Sequence, residues 1–208
     1  MLALVLKDLY EQRTNILFFL AFPALGYLVG PPLYGAFLIL LPWSIAIRAT
    51  YAEDRGGLEF LCSLPFSRNQ IVTAKFLLVL LLLLLGVGEV VLVSALPPLE
   101  GTQPVPDQAL WVMPVTVAGF AAVLTGAFLN LFFRIGYIRA LNYSRLLALL
   151  PLALLIPQVQ QIVLKSGVQL FLTSDPRRLA LWVLAGSLVV YLALLLDARR
   201  VFGQKDIA

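Results

Sequence analysis

Phe76-Leu77-Leu78-Val79-Leu80-Leu81-Leu82-Leu83-Leu84-Leu85-Gly86-Val87-Gly88-Glu89-Val90-Val91-Leu92-Val93-Ser94-Ala95-Leu96 is a run of 21 residues with a single charge, closed by Pro97 and Pro98. A helix of about 20 apolar residues crosses the hydrocarbon of a bilayer, so this run reads as a membrane span. Its first ten residues are apolar at every position, whereas a barrel strand alternates apolar and polar. Composition extends that reading to the whole chain. Of 208 residues, 61% are hydrophobic and 12% charged, with mean hydropathy +0.96. Soluble domains run at roughly 45 to 50% apolar and about 25% charged. The expected class is an all-α integral membrane protein, a single transmembrane domain over 1–208.

What is missing narrows the chemistry. There is no His and one Cys, Cys62, so neither a His/Cys metal cluster, a Ser-His-Asp triad nor an internal disulfide can be assembled. No GxxxxGK[ST] occurs, and Gly86-Val87-Gly88 lies within an apolar helix, so nucleotide chemistry must come from another chain. No catalytic residue is assigned, and an intramembrane protease or lipid transferase is disfavoured because clustered intramembrane acids are absent too. Cys62 reads as a small apolar side chain rather than a reactive thiol.

Outward from the deciding run, the chain divides into six spans. Residues 2–13 place Leu2, Val5, Leu6 and Leu9 at helical spacing with Lys7, Asp8, Glu11, Gln12 and Arg13 on other faces, as in an amphipathic helix lying in the membrane interface. Thr14 or Asn15 can cap a first span, Ile16 to Val29, with no small-residue cleavage site, so it is read as retained. Gly30-Pro31-Pro32 turns the chain into a second span, Leu33 to Ile47. Both fall short of a full crossing and must borrow flanking residues, thin the membrane or pack inside the bundle.

Residues 48–75 are the longest polar interval between spans, yet they carry Leu58, Phe60, Leu61, Leu64, Ile71 and Val72. A structured helix-break-helix element is expected, with a break at Asp54-Arg55-Gly56-Gly57, a short helix from Leu58 to Leu64, a stop at Pro65 and a cap at Ser67. The third span is Phe76 to Leu96 and the fourth Trp111 to Phe133. A second polar loop, 134–145, holds three arginines and no acid. The fifth span is Leu146 to about Leu164, and the sixth, Leu179 to Leu196, follows the Asp175-Pro176 cap.

Six spans put both termini on one side. That side, with loops 48–75 and 134–145, holds 12 Lys and Arg against 3 on the other, which places it in the cytoplasm of a cell-membrane protein. The net charge of +4 then reflects topology and anionic membrane lipid, with no need for nucleic acid.

Tyr51 to Lys75 resembles the first cytoplasmic loop of ABC type-2 permeases. The likeness rests on Glu59-x-Leu61-x-Ser63-Leu64-Pro65-x-Ser67-Arg68-x-x-Ile71-Val72-x-x-Lys75, with Phe60 standing where a Leu is usual. Phe132-Phe133-Arg134-Ile135-Gly136-Tyr137-Ile138-Arg139-Ala140 is similar to the segment after the fourth span of small bacterial members. The resemblance implies an exporter of two permease subunits, identical or not, and two cytoplasmic ATP-binding subunits that carry the ATP and Mg, with no cofactor on this chain. It also implies a cytoplasmic coupling helix between spans 2 and 3 that docks on the ATPase. Glu53, Asp54, Glu59 and Arg68 would be its charged anchors, Leu58, Leu61 and Leu64 its apolar contacts, and Pro65 and Ser67 its shape.

Gly136 and Tyr137 read either as a second ATPase contact or as a basic turn. Glu89, deep in the third span, can sit at a depth similar to that of Gln158 and Gln161, either in a translocation path or in a helix-helix contact. Cargo of small members is amphipathic or hydrophobic: peptides, toxins or antibiotics. The alternatives are a haem-exporter-type permease, which would not be expected to carry the Ser-Leu-Pro-x-Ser-Arg segment, and a non-transporting membrane scaffold.

Overall fold

The structure is a computed structural model that describes residues 2–20, 32–54, 58–94, 96, 107–153 and 176–204. Eight helices are seen among them: α1 Leu2–Glu11, α2 Arg13–Leu20, α3 Pro32–Ala52, α4 Leu58–Ser63, α5 Arg68–Ser94, α6 Asp107–Ile135, α7 Tyr137–Ala153 and α8 Pro176–Gln204. Three contain segments long and apolar enough to cross a membrane, Arg68–Val93, Pro114–Ile135 and Ala180–Gln204, and α3 carries the shorter apolar segment Phe37–Tyr51. The expected first and fifth spans fall largely outside the described residues.

The deciding run lies in α5, whose apolar residues face three ways. Val72, Phe76, Val79 and Leu83 join a core with α6 and α8, while Ile71, Ala74, Leu78 and Leu82 join a second with α1, α3 and α4. Leu81, Leu84, Leu85 and Leu92 point outward. A helix apolar all round suits a bundle inside lipid, where one face need not meet water. The innermost helix is α6, whose spanning segment is 61% buried, against 17% for that of α8.

Small residues let α8 lie close against α6. A Cβ added at Gly126 would come within 2.8 Å of the Tyr191 ring, so only a glycine leaves room for that buried side chain. Tyr191 donates a 2.6 Å hydrogen bond to the Phe76 carbonyl and its ring packs on Phe76, joining α8 to α5 as well. Close approach and internally satisfied polar groups are what hold helices together where lipid tails are as apolar as the side chains.

The ends of these helices meet in a consistent order. The end of α3 touches the start of α5 through Glu53 and Lys75, and the end of α6 touches the end of α8 through Arg134 and Asp197, 2.9 Å apart. Phe133, next to Arg134 in the chain, packs its ring at a tilt against that of Phe202, 5.0 Å between centroids. This charged end is also where α1 packs, because Asp8 reaches Lys75.

Three expectations about local structure change. The helices flanking the 48–75 element run past the expected span ends at Ile47 and Phe76: α3 continues to Ala52 and α5 begins at Arg68, since polar residues continue a helix when its backbone bonds are already propagating. Gln12 alone separates α1 from α2, so neither Thr14 nor Asn15 begins a new helix; Gln12 N–H donates to Asp8 O and Ile16 N–H to Gln12 O, carrying the helical bonding through the bend. The inward face of α1 is Leu4, Val5 and Asp8, while Leu2 and Leu6 are exposed.

Candidate functional site

The turn between α4 and α5 is built by its own residues. Leu64 N–H donates to Leu61 O as α4 ends, and Phe66 N–H donates to Leu64 O across Pro65, a three-residue turn that the fixed proline φ suits. Ser67 and Gln70 then cap α5 reciprocally: Gln70 N–H donates to Ser67 Oγ at 3.3 Å and Ser67 N–H to Gln70 Oε1 at 3.0 Å. This is a capping box, which satisfies donors the first helical turn leaves open. Leu61 is buried in the core shared with α1, α3 and α5, Leu64 and Arg68 are half-buried, and Pro65 and Ser67 are exposed. Leu58 and Glu59 stand in α4, just ahead of this turn. The residues singled out from Leu61 to Arg68 therefore form a short rigid elbow with a polar outer edge.

That elbow meets the second basic segment through the end of α3. Asp54 Oδ1 accepts a long, 3.4 Å hydrogen bond from the Tyr137 N–H, placing a carboxylate at the start of α7 where the helix dipole favours it. The Tyr51 and Tyr137 rings pack 5.3 Å apart, and burial pushes the Tyr137 phenol upward from its ordinary value, with Tyr51 adding to the rise. Gly136 links α6 to α7 at φ +84°, a left-handed conformation that an L side chain adopts only with strain. Its N–H donates to Phe132 O and its carbonyl accepts from Ala140 N–H, so one glycine ends one helix and begins the next.

Glu53 does something different from its neighbour. Its side chain is 2% exposed and lies 2.5 Å from Lys75 Nζ, which also takes Asp8 at 2.7 Å. In this arrangement it offers nothing to a partner surface, unlike exposed Asp54. The reason is geometric: Lys75 stands two turns into α5, facing the end of α3. Sequence reading missed Asp8 and Lys75 as a pair because 67 positions separate them. The one available signal was an acid on the helix face that also carries Leu4 and Val5. Cys62 is half-buried beside this site, and burial pushes its thiol upward against the pull of Arg68.

Glu89 lies apart from these groups. It is half-buried on α5, and its Oε2 has no hydrogen-bond partner among the described residues. Gln158 and Gln161 lie outside those residues.

The family model described as "ABC-2 family transporter protein" matches residues 3–196, nearly the whole chain and both loops of the site. This protein belongs to the ABC-2 transporter family. No curated protein and no solved structure matched the chain. As an ABC-2 permease it is a multi-pass membrane component of a transporter rather than a catalyst, and the family context brings with it an ATP-binding partner.

Proposed function

We propose that this ABC-2 permease is the membrane subunit of an ATP-driven exporter and that α4 with its flanking turn docks on the ATPase. The observation that supports the docking role most directly is convergence: Asp54 and Tyr51 join the 48–75 element to Gly136-Tyr137, so two segments far apart in sequence form one structural unit at the charged end. A force applied to α4 would reach α3, α5 and α7 together. Glu59, Arg68 and exposed Asp54 supply charge for recognition, and Leu58 and Leu64 supply apolar contact at its core.

In this reading the charged end faces the cytoplasm with both termini, six crossings complete the chain, and two ATP-binding subunits carry ATP and Mg. A second permease subunit or lipid covers the outward apolar faces of α5 and α8, including Leu84, Leu92, Trp182 and Val189. The cargo is an amphipathic or hydrophobic molecule such as a peptide, toxin or antibiotic, since so few polar side chains occur in the spanning helices. Glu89, with Gln158 and Gln161, would mark the polar part of the route.

The experiment is capture of the ATPase by tagged permease, comparing the parent with Glu59→Arg combined with Asp54→Arg. Loss of capture with unchanged membrane level and a monodisperse detergent profile is expected. Full retention of the ATPase with normal export would remove these acids from the docking surface. Topology is checked on a Cys62→Ser background: an impermeant thiol reagent added to intact cells should label a cysteine at position 103 and spare one at 67, and the opposite pattern would invert the orientation.

A further inference from the structure

Three ionisable side chains from three helices close on one buried point. Lys75 of α5 lies between Asp8 of α1 and Glu53 at the end of α3, and the three side chains are only 4%, 3% and 2% exposed. Asp8 is the better satisfied acid. Its Oδ2 accepts a hydrogen bond from Lys75, and its Oδ1 lies 3.4 Å from Lys7. Glu53 has the ammonium against Oε1 alone, and Oε2 has no donor among the described residues.

Two carboxylates on one ammonium carry a net charge of −1 when all three are ionised. Lys7, partly exposed and divided between Asp8 and Glu11 at 3.4 Å each, offsets that charge only in part; a charge without a full partner is costly out of water, and uptake of one proton removes it. Glu53 is the place for that proton, because its second oxygen has no competing donor. Burial pushes its carboxyl above the ordinary 4.5, with the Asp8 charge adding to the rise and Lys75 and Lys7 opposing it.

The other charged and titratable groups nearby do not displace this arrangement. On α4, Cys62 feels the Glu53 charge but carries none at neutral pH. Asp54 turns to the start of α7, Arg48 donates to Asn15 of α2, and on α6 Arg134 pairs with Asp197 of α8.

We propose that Asp8, Lys75 and Glu53 form a proton-operated latch between the first helix and the end of α3. With Glu53 ionised, Lys75 is shared and ties α1, α3 and α5 into one unit. With Glu53 protonated, Lys75 belongs to Asp8, and the tie to α3 falls to a neutral contact. The end of α3 leads into the docking element, so protonation weakens the hold of α1 on that element; this consequence rests on the docking role proposed above.

The test uses the full-length permease in lipid nanodiscs on a Glu89→Gln background, which removes the acid embedded in α5. Infrared difference spectra between about pH 8 and about pH 5 read the carbonyl stretch of a buried protonated carboxyl. A band is expected that Glu53→Gln abolishes. Asp8→Asn should move its midpoint down by roughly one pH unit or more, because the remaining Lys75–Glu53 pair is neutral and favours the ionised acid. Both substitutions keep the cation and a side chain of the same shape, and each checks the other. Spectra unchanged by Glu53→Gln overturn the latch, and so does a midpoint that Asp8→Asn leaves in place. Stimulation of the co-reconstituted ATPase is followed over the same range; it should fall with pH in the parent and stay flat in Glu53→Gln. A band that behaves as expected beside flat stimulation in the parent would leave the latch standing and sink the docking role.

Discussion

Along the α6–α8 seam, Gly126 takes the Tyr191 ring with no room for a Cβ, and the Tyr191 hydroxyl ends on a backbone carbonyl of α5. At the junction of α1, α3 and α5, helices are joined instead by one ammonium between two carboxylates. The first contact has a single arrangement, set by shape, and no part of it changes charge in the physiological range. The second is set by charge and can change state with one proton. Packing of the first kind suits a scaffold that must not slip inside lipid, while charge of the second kind suits a joint whose grip is meant to vary.

The sharpest way to break this contrast is Lys75→Met. It leaves Glu53 buried without a cation and Asp8 with only the half-buried Lys7 at 3.4 Å, and breaking a buried ion pair typically costs about 3 to 5 kcal/mol. A large fall in the melting temperature of detergent-solubilised protein is expected, and the triple variant Asp8→Asn, Lys75→Met, Glu53→Gln should recover most of it. A triple variant no better than Lys75→Met would mean that lost packing, not charge, is responsible.

On the shape-set side, Gly126→Val forces two methyls toward Tyr191, and overpacking of this kind costs about 1 to 3 kcal/mol. Pairing it with Tyr191→Ala should restore part of the loss in the same melting assay; no restoration would separate the two residues energetically. Gly136→Ala tests the hinge between α6 and α7. The positive φ makes it cost about 1 to 2 kcal/mol even though a Cβ there meets nothing within 4 Å. A neutral result would show that the linker relaxes to another conformation.

The smallest effect expected is a pH slope. Because the folded protein raises the Glu53 carboxyl above its ordinary 4.5, it binds that proton more tightly than the unfolded chain does. The stability from this group is therefore complete below that ordinary value and is lost as pH rises through the raised one. Melting temperatures of the parent minus those of Glu53→Gln, measured over that rise, should decline with pH. A difference that increases with pH would reverse the sign and place Glu53 among ordinary salt-bridged acids.

Much of this protein was legible from local pattern. Phe76 to Leu96 announces a span because a bilayer demands length and apolarity, both of which are counted along a chain. Pro65 and Ser67 announce the end of α4 and the cap of α5 for the same reason: a missing N–H and a hydroxyl beside open donors act within three residues. The family motif at Glu59 to Lys75 is local too, and it pointed to the element that the structure builds as one elbow.

The pairing of that element with the rest of the molecule was a different matter. Asp8 and Lys75 stand 67 positions apart and Asp54 and Tyr137 83, and no periodicity connects residues across such distances. Glu53 and Asp54 are chemically alike and adjacent in sequence, yet one is buried against Lys75 while the other lies exposed at the start of α7. Adjacent positions on a helix point about 100° apart, so the direction of each carboxylate depends on where α5 and α7 come to lie, and that is settled by how the apolar faces of the long helices pack.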